Sequence, residues 1–259
     1  MHTLPAYLER GDGDTAIFLL HGVGGGKEAW AHNQAALADQ GFKTIAWDMP
    51  GYGASPAVQP CSNAMLAGAL KTLIEHIGAQ RNVLLGHSMG GMIAQEFAAL
   101  YRTLVHGLVL HSTSPAFGKP GGDWQQQFLQ SRFAPLDQGL GMAGLAETLV
   151  PGMFAPEADP ARMSEARSLM AQVPAEAYRA ALSAIVSFNR LSELGQIAVP
   201  TLCLAGELDL NAPPTVVEKM ASRIAGADYL CLPGVGHIAN IEQPALFNRA
   251  VLTFLKQHF

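Results

Sequence analysis

Short, continuously apolar runs alternate along this chain with stretches in which apolar residues recur every three or four positions. Six of the runs read as strands: AIFLLHG (16–22), TIAWD (44–48), NVLLGHS (82–88), VHGLVLHS (105–112), PTLCLAG (200–206) and DYLCLPG (228–234). They are apolar at nearly every position rather than at every second one, which predicts strands of a sheet covered on both faces. Between them, Met65, Leu66, Ala69, Leu70, Leu73, Ile74 and Ile77 mark one helical face, with Ser62 placed as its N-cap. Val217, Met220 and Ile224 mark a second face. Phe247, Val251, Phe254 and Leu255 mark a third, opened by Pro244 at a first-turn position. Strand–helix alternation of this kind predicts an α/β chain with a mostly parallel sheet and helices on both faces.

Segment 113–196 breaks the rhythm. It offers no strand, only Gly- and Pro-punctuated pieces with helical spacing, for example at 169–173 and 178–188. A structureless loop of that length does not suit a compact domain, so the segment is expected to be a helical cap inserted into the core. Ordinary crossover helices that are merely long are the alternative. The expected division is a core of 1–112 and 197–259 with a cap of 113–196.

Composition narrows the class. With 259 residues, 49% of them hydrophobic, the chain can bury one sizeable core carrying an inserted lobe. Sixteen Lys and Arg against twenty-one Asp and Glu leave a formal charge of −5 without any basic block. Neither nucleic acid nor an anionic membrane surface is therefore expected as a partner. The opening MHTLPAYLERGDGD lacks the basic-then-apolar run of a signal peptide, and no stretch approaches the roughly 18 apolar residues of a membrane span. Cys61, Cys203 and Cys231 show no paired spacing, and two of them lie in strand-like runs, as reduced thiols of a cytoplasmic protein would.

The chemistry concentrates in LLGHSMGGMIAQEFA (84–98), where Ser88 ends a buried strand and a helical pattern follows at once. So sharp a turn strains its central residue and leaves no room for side chains two positions to either side. Gly86 and Gly90 supply that room, and Gly91 is expected to let the helix start pack close to the sheet. The G-x-S-x-G pattern is that of a nucleophile elbow, which needs a strand before it and a helix after it; both are predicted here. A serine hydroxyl attacks only when a base takes its proton, and the base needs a carboxylate to hold its tautomer. Nine histidines compete for the role of base. His2 and His258 sit at the ends of the chain, His32 and His76 fall in helical patterns, and His106 and His111 flank one strand. His87 adjoins the serine, but its side chain is expected to leave the turn in another direction. His237 follows a strand and a Gly-rich turn in LPGVGHIANIEQP, at the sheet edge where α/β proteins bind ligands. It is the expected base.

For the carboxylate, GELDLNAPP offers Asp209, in a loop closed by a Pro-Pro pair, with Glu207 as the local competitor. The order Ser88, Asp209, His237 is the Ser–acid–His order of this architecture. The oxyanion needs backbone N–H donors. Met89, opening the helix after the elbow, is the first, and Val23, in the loop HGVGGG (21–26), is the second, with Gly24 as its neighbouring alternative. This loop lacks both a following Lys-Ser/Thr and G-x-G-x-x-G spacing, so it is not read as a phosphate cradle. His21 is expected to brace it.

With these segments in place, the chain resembles the α/β-hydrolase superfamily over nearly its whole length. LLHGVGGG, WDMPGYGAS, GHSMGGMIAQEFA, VPTLCLAGELD and PGVGHIANIEQPALFN look like its landmark segments in their usual order. Branches that dehalogenate alkanes or open epoxides carry aspartate at the elbow, and Ser88 argues against both. The phrases around Ser88 and His237 look most like carboxylesterases and 3-oxoadipate enol-lactonase-like proteins. The resemblance implies a serine hydrolase acting through an acyl-enzyme on a small- to medium-sized carboxylic ester or lactone, with no metal or organic cofactor, as a monomer or homodimer. Hydrolysis of carbon–carbon bonds in ring-cleavage products, cofactor-free perhydrolysis and small-ligand reception are the alternatives on the same fold. HGVGGGKEAW lacks the proline common in the carbon–carbon hydrolases. In the cap, Trp124, Phe128 and Phe154 are the expected substrate contacts, and Arg132, Arg162 and Arg190 are candidate receivers of a substrate carboxylate.

Overall fold

The computed structural model describes residues 3–118 and 121–259. In chain order its strands are β1 (Tyr7–Arg10), β2 (Thr15–Leu20), β3 (Lys43–Trp47), β4 (Arg81–His87), β5 (Gly107–His111), β6 (Thr201–Gly206) and β7 (Asp228–Leu232). The helices are α1 (Ala31–Ala38), α2 (Asn63–Ile77), α3 (Met89–Leu100), α4 (Asp123–Asp137), α5 (Gly141–Leu149), α6 (Pro160–Ala171), α7 (Ala175–Ile185), α8 (Pro214–Ala221), α9 (Ala239–Glu242) and α10 (Pro244–His258). The strands form one sheet in the order β1-β3-β2-β4-β5-β6-β7. Every pairing is parallel except that of β1 with β3.

The apolar runs have a simple cause. Alternate residues of each central strand enter two separate cores, one on each face, so no position faces water. Phe18, Leu84, Leu108 and Cys203 join one core with Leu66 and Leu70 of α2, Ile93 and Phe97 of α3, and Val217 of α8. Ile17, Leu85, Val109 and Leu204 join the other with Leu37 of α1 and with Phe247, Val251 and Phe254 of α10. Burial of this kind stabilises by about 1.5–3 kcal/mol per large aliphatic or aromatic side chain. Ser62 caps α2 as its sequence suggests, accepting a hydrogen bond from the Met65 amide at 3.3 Å. Helix α8 ends at Ala221, so Ile224 reaches the core from the turn beyond it. Strand β1 was not expected. It is four residues long, antiparallel at the sheet edge and mostly exposed, so it carries no apolar run.

Between β5 and β6 the chain leaves the sheet for α4 to α7. The two ends of this excursion meet, because an antiparallel bridge joins Ala116 to Asn189 and the Arg190 amide donates to Pro115 O at 2.7 Å. Polar ties fasten the excursion to the rest of the chain. Arg190 pairs both oxygens of Glu96 on α3 at 2.7 Å, His32 on α1 meets Glu165 on α6 at 2.9 Å, and Asn63 Nδ2 donates to Ala184 O at 2.9 Å.

Strand order also chooses the place of the site. The chain runs from β2 outward to β3, then returns past β2 to β4 and continues the other way. The C-terminal ends of β2 and β4 therefore lie side by side, with Leu20 opposite Gly86 in the register. At such a switch point the following loops diverge and leave a crevice.

Candidate active site

Ser88 follows β4 with φ 53° and ψ −117°, in a region that residues with a side chain rarely adopt. Such a conformation costs on the order of 1–3 kcal/mol and persists only when its surroundings over-determine it. They do so here. The Ser88 amide donates to His111 O at 2.9 Å, while Ser88 O accepts from Gly91 N at 3.0 Å, Met92 N at 3.2 Å and the Thr113 hydroxyl at 2.7 Å. The glycines act by close approach. A Cβ on Gly86 would stand 2.4 Å from Gly90 O, and one on Gly90 would stand 2.0 Å from Leu20 O. Gly91 differs from its expected role: its missing Cβ makes way for the Thr113 side chain, 2.7 Å from where that carbon would be. Gly90, not Gly91, brings the helix onto the sheet.

His237 lies in the loop between β7 and α9. Its Nδ1 meets Asp209 Oδ2 at 2.8 Å, with the Asp209 side chain fully buried. A carboxylate only accepts, so Nδ1 carries the proton and Nε2 is left as the basic nitrogen. Asp209 Oδ1 accepts from Asn211 N at 2.8 Å and Ala212 N at 2.9 Å. Burial is the largest influence on this carboxyl and raises its pKa, but the His237 charge and hydrogen bond and the two amides together hold it below its ordinary value. Glu207 stands apart: its Oε2 accepts from Gly234 N at 2.8 Å on the exposed turn after β7.

Ser88 and His237 both line a cavity of about 560 Å³, within the range of small-molecule sites. Val23 and Gly24 line it too. The Gly25 amide closes a turn onto Gly22 O at 3.1 Å, and among the described residues the amides of Val23 and Gly24 have no hydrogen-bond acceptor. The Tyr52 hydroxyl fixes the loop by donating to Val23 O at 3.0 Å. Met89 is the first residue of α3, so its amide is one of the four that a helix leaves without an internal partner, at the positive end of the helix dipole.

His21 braces the glycine loop from within. Met49 N donates to its Nε2 at 3.0 Å, which leaves the proton on Nδ1 to donate to Gly22 O at 2.8 Å. Burial lowers its pKa and keeps it neutral. Sequence reasoning underrated His87. Its Nε2 donates to His237 O at 2.9 Å, and its ring lies 4.8 Å from the His237 ring and 5.1 Å from that of His111. Burial first, and then the neighbouring imidazoles, push His87 well below the ordinary histidine range. His111, also buried, falls to about 3. His2 lies outside the described residues.

Two supporting carboxylates were missed, since neither an acid just after a strand nor one ending a four-residue helix gives a periodic signal. Asp48, buried after β3, accepts from Lys27 N at 3.0 Å and from Lys27 Nζ at 2.6 Å, tying the glycine loop down. Glu242 accepts from Gly236 N at 2.8 Å and Ala155 N at 3.0 Å, so one buried side chain holds the His237 loop against the excursion between β5 and β6.

Of the expected substrate contacts, Trp124 and Phe128 line the cavity and Phe154 does not. Phe154 is buried elsewhere because its backbone abuts Gly236, where a Cβ would come within 3.0 Å of its Cα. Arg162 is held by Glu165 and Arg190 by Glu96, whereas Arg132 lines the cavity. Among the described residues no three His, Cys, Asp or Glu side chains gather as metal ligands, and no helix is long and apolar enough to cross a membrane.

Known proteins share this fold. The chain is 30% identical over 251 residues to RutD of Variovorax paradoxus, provisionally named a carbamate hydrolase, covering 94% of this chain and 92% of that one. A thermophilic esterase from Thermogutta terrifontis superposes with a TM-score of 0.87 at 26% identity, covering 98% of this chain and 94% of its own. The enol-lactonase of Burkholderia xenovorans LB400 does so with a TM-score of 0.86 at 27% identity, covering 97% and 96%. The family model for the alpha/beta hydrolase fold matches residues 15–244, from the first buried strand to the opening of the last helix, and this chain belongs to that family of hydrolases.

Proposed function

We propose that this chain is a serine hydrolase that cleaves a small- to medium-sized carboxylic ester or lactone through an acyl-enzyme. The observation that carries the reading is the convergence, in one cavity, of a strained, half-buried serine with a histidine whose far nitrogen is already engaged by a buried carboxylate. Ser88 attacks the carbonyl while His237 Nε2 takes its proton. His237 then gives that proton to the leaving alcohol. Asp209 keeps the tautomer and stabilises the imidazolium. The amides of Met89 and Val23 receive the negative charge that builds on the carbonyl oxygen, a contribution worth about 10²–10³ in rate per donor. Water then attacks the acyl-enzyme with His237 again as base. Every group in this cycle belongs to the chain, so no metal or organic cofactor enters it.

In this reading α4 to α7 act as a cap, 113–196, on a core of 1–112 and 197–259, and side chains such as Phe128 and Trp124 shape the acyl pocket. The mostly apolar lining suits small organic substrates, and the three free cysteines suit a cytoplasmic protein. The similarity to RutD adds carbamate esters to the substrates worth testing.

Ser88→Ala tests the reading directly. The wild-type chain should turn over p-nitrophenyl esters, simple lactones or carbamate esters repeatedly and take one phosphonate label, at Ser88. The variant should fold normally, lose the label and lose nearly all turnover. A variant that keeps more than a few per cent of the rate would overturn the assignment, as would a wild type that acylates once and never releases product.

A further inference from the structure

The cavity contains a single permanent charge. Among its lining residues there is no aspartate, glutamate or lysine, and Arg132 of α4 is the one arginine. Its surroundings differ from those of the other four arginines between β5 and β6. Arg162 pairs with Glu165, Arg167 with Glu147, Arg179 with Asp137 and Arg190 with Glu96. Arg132 alone of the five has no carboxylate within ion-pairing distance among the described residues. Its one hydrogen bond there runs from Nη1 to the neighbouring Ser131 hydroxyl at 2.6 Å.

The guanidinium lies over the Phe128 ring, 4.1 Å from its centroid. This stacking occupies a face of the planar cation and leaves the in-plane N–H groups, which make its directional hydrogen bonds, free for an acceptor. Burial holds Arg132 below its ordinary pKa, and the nearby Tyr178 phenol, itself pushed up to about 12 by burial, offers no anion at neutral pH. A partly desolvated cation without a counter-ion is unfavourable, and the missing partner has a defined chemistry: a planar, bidentate acceptor.

We propose that Arg132 is a carboxylate-binding residue, so that the substrate is an ester or lactone carrying a second, unreacted carboxylate remote from the scissile carbonyl. This rests on the hydrolase reading for the reacting end of the substrate, but not for the anion. Arg132 and Ser88 line the same cavity, with Met170, Leu182 and Ile185 among the apolar residues beside them. A substrate whose ends contact Arg132 and Ser88 presents its carboxylate to the cap and its ester to the elbow, with its methylenes against the apolar wall. The assignment also explains why one cap arginine lacks the acid partner its four neighbours have.

The test uses Ser88→Ala as background, so that binding is read without turnover. Monoethyl adipate and its neutral counterpart, ethyl methyl adipate, are titrated calorimetrically into S88A, S88A/R132Q and S88A/R132K, with inorganic phosphate as a competing anion. The charged ester should bind S88A about tenfold to a hundredfold more tightly than the neutral one, as expected for a charge-assisted hydrogen bond pair. R132Q should abolish that preference, R132K should keep part of it, and phosphate should compete poorly. Thermal midpoints within a few degrees of S88A establish that both variants fold. A preference that survives in R132Q, or that is absent from S88A, overturns the proposal; so does phosphate competing as well as the monoester. Turnover by the chain with Ser88 intact separates the two readings. Selective binding of the charged ester without hydrolysis would remove the esterase assignment and leave carboxylate recognition standing. Hydrolysis of both esters with equal kcat/KM, in wild type and R132Q alike, would do the reverse.

Discussion

Replacing Asp209 by asparagine is the sharpest probe of how the site works. The carboxylate serves three donors with two oxygens: Oδ1 takes the Asn211 and Ala212 amides at 2.8 and 2.9 Å, and Oδ2 takes His237 Nδ1 at 2.8 Å. An asparagine of the same shape keeps its oxygen for the two amides, because an NH₂ there would face two N–H groups. Its NH₂ must then face His237 Nδ1, which can only accept, and the imidazole proton moves to Nε2. The nitrogen that should take the Ser88 proton is now occupied. By analogy with the serine-protease triad, where the same change forces the wrong tautomer, turnover should fall by about 10⁴, or about 5.4 kcal/mol of barrier. Folding should change little, since shape and the two amide bonds survive. Glu207→Gln is the control. It alters an exposed side chain bonded only to Gly234 N, and its cost should stay below about tenfold. The assay is kcat/KM on p-nitrophenyl butyrate, with circular dichroism to confirm the fold. An Asp209→Asn chain within tenfold of wild type, or a Glu207→Gln chain that loses more, would refute the reasoning.

Gly90→Ala should destabilise by several kcal/mol or prevent folding, because its Cβ would stand 2.0 Å from Leu20 O on a rigid strand. Gly152→Ala, with nothing within 4 Å, should stay within about 0.5 kcal/mol; urea unfolding compares the two. His21, His87 and His111 are held neutral below their unfolded pKa of about 6.5. Their contribution is therefore complete above about pH 6.5 and is lost as pH falls towards their folded values, about 3 for His111, and Asp209 adds a further loss below about pH 3.9. His111→Gln should reduce by one the protons taken up on unfolding near pH 5, read from the pH dependence of the urea midpoint. Phe128→Ala should shift the preferred acyl length in a p-nitrophenyl ester series. Phe154→Ala should leave that optimum in place and cost about 3–5 kcal/mol of stability, since one aromatic lines the cavity and the other is core.

These contrasts show what was legible in the sequence. Strands β2 to β6 announce themselves because each buries both faces, which turns them into unbroken apolar runs; β7, at the far edge of the sheet, is only half-buried but is still apolar from Tyr229 to Leu232. Strand β1 pairs on one edge only, in four mostly exposed residues, and leaves no such run. The serine, the histidine and Asp209 were readable because each follows a strand at its C-terminal end, a place defined by local pattern. Gly90, and not Gly91, meets the sheet because which glycine faces β2 depends on how α3 turns after Ser88, which the sequence pattern does not specify. The aromatics and arginines of 113–196 could not be sorted in advance. Phe128 and Phe154 have the same chemistry, as do Arg132 and Arg190. What separates them is whether a partner such as Gly236 or Glu96, about 80 to 95 positions away in the chain, occupies the neighbouring space.

If Ser88, Asp209 and His237 react as proposed, the placement of the buried polar groups lets chemistry and selectivity vary separately. Three of the loops around the site are tied to the sheet region by their own struts: Thr113 holds Ser88 O, Asp48 holds Lys27 beyond the glycine loop, and His87 holds His237 O, while Asp209 is held within its own loop by the Asn211 and Ala212 amides. The strain at Ser88 is thus offset by backbone and side-chain bonds from its surroundings, not by contact with substrate. Arg132, Phe128 and Trp124 belong to α4, whose polar ties are few; Gln125 Nε2 to Phe117 O, at 2.9 Å, is one. A change on α4 can therefore alter which substrate reaches Ser88 while the struts around Ser88, His237 and Asp209 stay in place. Only where one side chain holds both parts, as Glu242 does between Gly236 and Ala155, should a substitution disturb rate and selectivity together.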